Sequence, residues 1–185
     1  MRVKKRNGSF EDVSFDKIIL RLQLLSNDLN VDCGIIAQKV VSRMSDNMST
    51  RELDELSSQL CMEMITNHLD YGTLGSRIAI DNHHKNTKNT LLESFTILYN
   101  NKDILGKDSP LINKKIYTLV QQNNEKIENM IDYKKDFLIN YFGFKTLCKS
   151  YLLKINNEII ERPQHLFMRV ALCIHDNDFE KVQEN

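Results

Sequence analysis

The chain has 185 residues, of which 41% are hydrophobic and 27% charged, with only six glycines and two prolines. This length corresponds to one or two small domains, and the scarcity of glycine and proline favours long helices. Because 25 basic residues balance 25 acidic ones, the composition excludes a general nucleic-acid coat or a membrane-surface protein. The basic start is not followed by the apolar stretch of a secretory signal, so a cytoplasmic location is expected.

The cysteines are widely spaced, and no C-x-x-C pair occurs among them. Structural zinc sites need ligands on short spacers, so that one turn of chain can present two of them. The sequence therefore predicts no metal site and four buried, reduced thiols. These are Cys33, Cys61, Cys148 and Cys173.

The first fifteen residues predict a β-hairpin. Residues 3–6 and 10–15 flank Asn7-Gly8, the dipeptide preferred in a two-residue type I′ turn. Strand alternation puts Lys4 and Arg6 on one face of the hairpin and Lys5 on the other.

Four helices are predicted to follow the hairpin, from apolar residues at helical spacing. They cover about 15–25, 35–44, the segment after Ser49, and 71–87, with a polar connection at 45–49. Ser49-Thr-Arg-Glu52 matches the capping box at the start of the third helix.

From residue 88 onward the pattern starts afresh. The sequence predicts a helix at 91–99, a loop at 100–110, one or two helices within 111–130, and a second hairpin around Asn156-Asn157. Pro163 suits the first turn of another helix, and Asp176 or Asp178 can cap a final one that runs to Asn185 without a C-terminal cap. The fold class is therefore mainly α with two short hairpins, and the chain is expected to be cut short.

Charged residues of the first part predict an anion site. Lys85 continues the apolar stripe of the fourth helix, so it is expected to point inward, where Lys5 and Lys17 can join it. Three converging ammonium groups form a triphosphate clamp, because each phosphate oxygen accepts a charge-assisted hydrogen bond. Glu11 and Asp54 then face sugar or base.

The same residues also have plain structural interpretations. Lysines protect an edge strand from aggregation, Asp54 complements a helix dipole, and Lys85 extends its charge from an apolar groove. For the anion-site interpretation, Thr50 at the start of the third helix adds a hydroxyl and free backbone N–H groups.

Four blocks of the sequence resemble one family. Residues 3–18, 50–56 and 70–85 resemble the ATP cone, the regulatory nucleotide-binding domain of ribonucleotide reductase large subunits. Residues 140–154 and 161–170 resemble the helical segment that leads into the catalytic barrel of the eukaryotic and viral class I enzyme. The resemblance implies an ATP cone at 1–88, made of a hairpin and four helices, and an N-terminal helical segment at 89–185.

The resemblance also implies ligands and roles. ATP is expected as the activator and dATP as the inhibitor, each with Mg²⁺, and their occupancy switches how large subunits associate. Carried onto matching positions, Lys5, Lys17, Thr50 and Lys85 hold phosphates, while Glu11 and Asp54 read base and ribose. Arg6, in the same basic cluster, completes the predicted nucleotide site.

The resemblance assigns catalysis to a barrel that this chain does not include. The chain alone is therefore expected to be inactive, with no catalytic residue and no redox cofactor, although the family reduces ribonucleoside diphosphates for DNA synthesis. Expected partners are other large subunits and the small radical-generating subunit, with no nucleic acid or membrane. The alternative is a stand-alone ATP-cone regulatory or interaction protein.

Overall fold

The computed structural model describes residues 1–184, so Asn185, where the predicted last helix ends, lies outside the described residues. Contacts divide the chain into two compact units. Unit 1 contains Met1–Asn82 and Ile139–Tyr141, and unit 2 contains His83–Leu138 and residues 142–184. The predicted domain boundary between residues 88 and 89 stays a prediction.

Unit 1 is a small three-stranded sheet with helices. Its strands lie in the order β2-β1-β3, with β1 antiparallel to β2 and parallel to β3. The elements are β1 (Arg2–Lys4), β2 (Phe10–Asp12), α1 (Phe15–Leu25), α2 (Cys33–Arg43), β3 (Met48–Ser49), α3 (Thr50–Glu63), a 3₁₀ turn (Met64–Thr66) and α4 (Asp70–Asn86), whose last turn belongs to unit 2.

The first hairpin is confirmed, but its predicted turn type is wrong. The Gly8 amide donates to the Lys5 carbonyl at 2.9 Å, and the Lys5 amide donates to the Ser9 carbonyl at 2.8 Å. This is a three-residue loop in which Gly8 takes the positive φ of 85°. Because β1 ends at Lys4, strand alternation does not reach Lys5 and Arg6, and both belong to the turn.

The segment predicted as a polar connection contains a strand. Asn47 adopts a φ of 62° and donates its amide to the Arg2 carbonyl at 2.8 Å, while Asp46 Oδ1 accepts from the Arg2 amide at 2.7 Å. These contacts align Met48 and Ser49 beside β1 as β3. A two-residue strand has no periodicity of its own, so only its partner reveals it.

Capping and burial explain the helices of unit 1. The Ser49–Glu52 capping box is present at the start of α3, as predicted, and Asp32 caps α2 through the amides of Gly34 and Ile35. The apolar faces meet in one core, whose most buried members are Leu22, Ile36, Ala37, Val40, Leu60, Cys61, Leu74 and Ile78.

Unit 2 is helical with one short hairpin. The region predicted to hold one or two helices at 111–130 forms two. The elements are α5 (Leu91–Tyr99), α6 (Lys114–Gln122), α7 (Asn124–Glu128), a 3₁₀ segment (Tyr133–Leu138), α8 (Tyr141–Ser150, from its second residue), β4 (Lys154–Ile155), β5 (Glu158–Ile159), α9 (Pro163–His175) and α10 (Phe179–Glu184).

Local chemistry fixes the ends of several elements in unit 2. Asn156 and Asn157 both take positive φ values, 51° and 66°, which confirms the second hairpin as a tight two-residue turn. Pro163 occupies the first turn of α9, as predicted. Asp178 accepts from the Lys181 amide at 3.4 Å, so of the two predicted caps it is Asp178 that serves α10.

The prediction of four buried thiols is wrong for two cysteines. Cys33 and Cys61 are buried in the core of unit 1, and burial raises the pKa of Cys61 to about 12. Cys148 is half-buried and Cys173 is exposed. Among the described residues, no helix is long and apolar enough to cross a bilayer.

Candidate functional site

Two of the predicted phosphate-binding lysines meet at Glu11. Lys5 from the hairpin turn and Lys17 from the first turns of α1 both form salt bridges with the Glu11 carboxylate on β2. The Lys5 and Lys17 side chains are 46% and 66% exposed, so a dissolved anion can reach both. The structure therefore brings these three predicted residues together at one edge of the small sheet.

Arg6 and Asp54 form a second predicted pair. Arg6 Nη2 donates to Asp54 Oδ2 at 3.3 Å and to Asn82 Oδ1 at 2.7 Å. Asp54 lies just after the first turn of α3 and is only 8% exposed. A carboxylate this deeply buried needs charged partners, because an unpaired buried charge is strongly unfavourable.

Arg21 is the second arginine that binds the Asp54 carboxylate. Its Nε donates to Asp54 Oδ1 at 3.2 Å and its Nη2 to Asp54 Oδ2 at 3.3 Å, which is a two-point contact. The same guanidinium forms a salt bridge with Asp81 on α4. Two arginines and two aspartates therefore alternate across the hairpin turn, α1, α3 and α4.

The electrostatics of Arg21 reflect this arrangement. Burial alone lowers the pKa of the Arg21 guanidinium, but the negative charges and hydrogen bonds of Asp54 and Asp81 outweigh burial. The net result is a raised pKa for Arg21, so the group stays charged and Asp54 keeps its partner.

Thr50 stands at the first position of α3, next to the capping residue. The Ser49 hydroxyl accepts from the Glu52 amide at 3.1 Å, and the Glu52 carboxylate accepts from the Ser49 amide at 2.8 Å. This capping box fixes the direction in which α3 begins. Thr50 and Asp54 are thereby held on one short stretch of helix.

Lys85 differs from its prediction. It is the penultimate residue of α4, and its side chain is exposed rather than directed inward. A long side chain at a helix end reaches solvent readily, even where its position continues an apolar stripe. Lys85 belongs to unit 2, and its role as a third phosphate-binding cation stays a prediction.

Sequence reasoning missed three residues of this network. Arg21, Asp81 and Asn82 all contact the charged groups around Asp54. A weak signal exists for Arg21, because it lies four residues after Lys17 and therefore on the same face of α1.

An open cleft of about 830 Å³ lies elsewhere in unit 1. Its lining includes Asp32, His68 and Tyr71 and none of the predicted nucleotide-binding residues.

Comparisons with known proteins agree on one family. Residues 1–86 match the family described as ATP cone domain, and residues 137–184 match the all-alpha domain of ribonucleotide reductase. The ribonucleoside-diphosphate reductase large subunit of Plasmodium falciparum (isolate Dd2) is 46% identical over 186 residues, covering 100% of this chain and 23% of that protein. The large subunits of Arabidopsis thaliana and Vaccinia virus (strain Copenhagen) are 44% and 45% identical, covering 98% and 100% of this chain.

The chain spans about a quarter of the length of these curated relatives, 23% of the Arabidopsis protein and 24% of the viral one. The two matched regions follow one another along the chain in the order cone, then all-alpha domain. The chain therefore belongs to the ribonucleoside-diphosphate reductase large-subunit family, within which it corresponds to the ATP cone and the start of the all-alpha domain.

Proposed function

We propose that this chain is the nucleotide-sensing part of a ribonucleoside-diphosphate reductase large subunit. It binds ATP as activator and dATP as inhibitor through unit 1, and the bound nucleotide changes how large subunits associate with one another and serve the small radical-generating subunit. The observation that carries the proposal is the pair of exposed lysines, Lys5 and Lys17, gathered by Glu11 beside the buried Asp54 network.

The chemistry of this arrangement suits a nucleoside triphosphate. Phosphate oxygens accept charge-assisted hydrogen bonds from ammonium groups, and two lysines held at one place bind a polyphosphate better than scattered ones. Mg²⁺ accompanies such a ligand by bridging its phosphate oxygens. Glu11 and Asp54 accept hydrogen bonds from amino or hydroxyl groups of base and sugar.

ATP and dATP differ by a single ribose hydroxyl, yet they are proposed to have opposite effects. Two such similar ligands drive opposite outcomes only by stabilising different arrangements of the protein. A group that reads the sugar is therefore required, and Asp54 is the proposed reader. The chain itself is proposed to lack catalytic activity, to need no redox cofactor, and to work in the cytoplasm.

Calorimetric titration of the 185-residue chain with ATP and with dATP, each with Mg²⁺, tests the proposal. We expect saturable binding of both nucleotides. Lys5→Ala or Lys17→Ala should weaken both by roughly ten-fold, since a hydrogen bond to a charged group contributes about 1.5 kcal/mol or more. Lys85→Ala is expected to act in the same direction.

Lys4→Ala is the matched control, because Lys4 is an exposed neighbour of Lys5 at the end of β1 and is not one of the predicted nucleotide-binding residues. It should change either affinity by less than about two-fold, as a surface charge at some distance is screened by salt. Absence of binding by the unsubstituted chain would overturn the proposal. The stand-alone interaction protein would then be the better explanation.

A further inference from the structure

Asp54 is held from two sides by arginine. Three hydrogen bonds reach its carboxylate: Arg21 Nε to Oδ1 at 3.2 Å, Arg21 Nη2 to Oδ2 at 3.3 Å, and Arg6 Nη2 to Oδ2 at 3.3 Å. A two-point contact with a planar guanidinium fixes the plane of the carboxylate as well as its position. Arg21 therefore determines which way the oxygens of Asp54 face.

The hydrogen bonds to the Asp54 carboxylate leave one of its acceptor sites available. Each carboxylate oxygen has about two lone-pair sites, so the group accepts about four hydrogen bonds. Within residues 1–184, Arg6 and Arg21 occupy both sites of Oδ2, and Arg21 occupies one site of Oδ1. One acceptor site on Oδ1 remains, which suits a single hydroxyl donor.

Helix α4 anchors both arginines. Asp81 forms a salt bridge with Arg21, and Asn82 Oδ1 accepts from Arg6 Nη2 at 2.7 Å. Asn82 is itself held, because its Nδ2 donates to the Arg51 carbonyl of α3 at 3.1 Å. The guanidinium of Arg21, with a side chain only 23% exposed, is thereby prevented from turning away from Asp54.

We propose that Arg21, anchored by Asp81, is a positioning residue for discrimination between ribose and deoxyribose at Asp54. The inference deepens the proposed function and rests on it. Arg21 leaves one oriented acceptor on Asp54 for the sugar hydroxyl that distinguishes ATP from dATP. Without Arg21, the Asp54 carboxylate is free to rotate or to accept a hydrogen bond from water. The chain then binds ATP and dATP with similar affinity.

The test is calorimetric titration of the 185-residue chain and its Arg21→Lys variant with ATP and dATP. Lysine keeps the charge but cannot make the two-point contact. For the unsubstituted chain we expect dissociation constants that differ by roughly ten-fold, the effect of one hydrogen bond to a charged group. In Arg21→Lys the dissociation constants for ATP and dATP should come within about three-fold of each other. The mean affinity for the two nucleotides should change by a smaller factor than the ratio of their dissociation constants.

Arg77→Lys is the matched control. Arg77 is another half-buried arginine of unit 1, but within residues 1–184 its hydrogen bonds go to backbone carbonyls, those of Leu25 at 3.0 Å and Asn27 at 2.8 Å. It should reproduce any loss of melting temperature without altering the ratio of the two dissociation constants. Asp81→Asn, which weakens the anchor of Arg21 and leaves Arg21 in place, should move the ratio part of the way.

The outcomes separate the two proposals. If Arg21→Lys weakens ATP and dATP by the same factor, the positioning role is overturned and the nucleotide site stands. If the unsubstituted chain binds neither nucleotide, the proposed function fails and this inference fails with it. If Arg21→Lys does not fold by circular dichroism, Asp81→Asn decides by the same ratio, and an unchanged ratio overturns the inference.

Discussion

Both units of the chain bury charged side chains, but different groups satisfy them. In unit 1 the partners of Asp54 are Arg6 and Arg21, whose side chains remain 33% and 23% exposed. In unit 2 Glu161 is fully buried and accepts from Arg169 at 2.6 and 3.1 Å and from the Leu153 amide at 2.9 Å. The arginines are similarly exposed, 23% for Arg21 and 21% for Arg169, so the difference lies in the carboxylates: the Asp54 side chain is 11% exposed, whereas the Glu161 side chain is fully enclosed by the protein.

His165 shows how unit 2 satisfies a buried histidine with its own polar groups. Its Nδ1 accepts from the Arg162 amide at 3.2 Å, so Nε2 carries the proton and donates to the Tyr133 hydroxyl at 3.0 Å. Tyr133 in turn donates to Glu128 at 2.7 Å. Within residues 1–184, the buried side-chain polar atoms without a partner are Ser94 Oγ and Asp136 Oδ1, and both also lie in unit 2. A network of this kind specifies a fold rather than a ligand.

The largest expected effect follows from breaking the unit 2 network at Arg162. Arg162 is 6% exposed and donates to Thr87, to the His84 carbonyl and to Asn89 at 2.9–3.0 Å. Arg162→Met should lower the free energy of unfolding by about 3 kcal/mol, since it removes three hydrogen bonds that a buried, charged donor makes. Urea denaturation followed by circular dichroism measures this.

Arg43→Met is the control for Arg162→Met. Arg43 pairs with Glu63 on the surface, where the two side chains are 50% and 53% exposed. Its loss should cost less than about 1 kcal/mol, because exposed ion pairs contribute little. Equal losses in the two variants would show that the buried network of unit 2 does not stabilise the fold.

The second effect is a pH dependence that belongs to His165. Burial, followed by the nearby positive charge of Arg162, lowers the pKa of His165 from 6.5 to about 3. The folded state therefore favours neutral His165, and the unfolded state binds a proton that the folded state does not between these values. This stabilisation is complete above pH 6.5 and declines by about 1.4 kcal/mol per pH unit as the pH falls towards 3.

Comparison of the chain with His165→Gln measures this dependence. Between pH 6.5 and pH 5, the free energy of unfolding of the unsubstituted chain should fall by about 2 kcal/mol more than that of the variant. His68→Gln, which changes an exposed histidine of unit 1, should keep the full decline. If His165→Gln and the unsubstituted chain lose stability in parallel, the neutral buried histidine is not the cause.

In both units, the sequence could predict the elements that local contacts determine, but not those that depend on distant residues. Elements set by local chemistry were predictable: α1 from its apolar spacing, the start of α3 from Ser49 and Glu52, and the second hairpin from two asparagines. β3 was not, because its two residues form a strand only beside β1. The turn at Gly8 followed the register of its strands rather than the preference of the dipeptide.

The candidate site divides in the same way. Glu11, Lys5 and Lys17 lie within fifteen residues of one another, so a hairpin and the following helix are enough to bring them together. The contact between Arg21 and Asp81 joins residues 60 positions apart, and no local pattern encodes it. Long-range ion pairs depend on how helices pack, which hydrophobic spacing alone does not specify.

A smaller effect probes the packing of unit 1 at two glycines. A Cβ on Gly75 would lie 3.1 Å from the Ser58 carbonyl oxygen, a backbone atom that cannot move aside. A Cβ on Gly72 would meet the end of the Ile65 side chain at 2.7 Å, and that side chain is flexible and partly exposed. An alanine at position 75 therefore requires backbone movement, whereas an alanine at position 72 requires only that the Ile65 side chain move.

Gly75→Ala should lower the free energy of unfolding by about 1 kcal/mol, because overpacking costs more than the gain in helix propensity. Gly72→Ala should leave it unchanged or raise it by up to about 1 kcal/mol, since Ile65 rotates away. Urea denaturation of both variants checks the sign. A stabilised Gly75→Ala chain would mean that α3 and α4 can separate slightly at no cost.

The smallest effect compares the two capping boxes, one in each unit. Ser49 caps α3 and Thr90 caps α5 through the same arrangement with a glutamate three residues later. Ser49→Ala and Thr90→Ala should each lower the free energy of unfolding by about 1 kcal/mol. Because the two substitutions are expected to destabilise the chain equally, any other difference between the variants must come from the residues that each helix start holds in place.

That difference should appear in nucleotide binding. The start of α3 carries Thr50 and leads to Asp54, whereas the start of α5 carries no predicted ligand group. Ser49→Ala is therefore expected to weaken ATP and dATP binding by about three-fold beyond Thr90→Ala, a loss comparable to a partly disordered first turn. Equal binding by the two variants, measured by calorimetry at a temperature where both are folded, would mean that the start of α3 takes no part in holding the nucleotide.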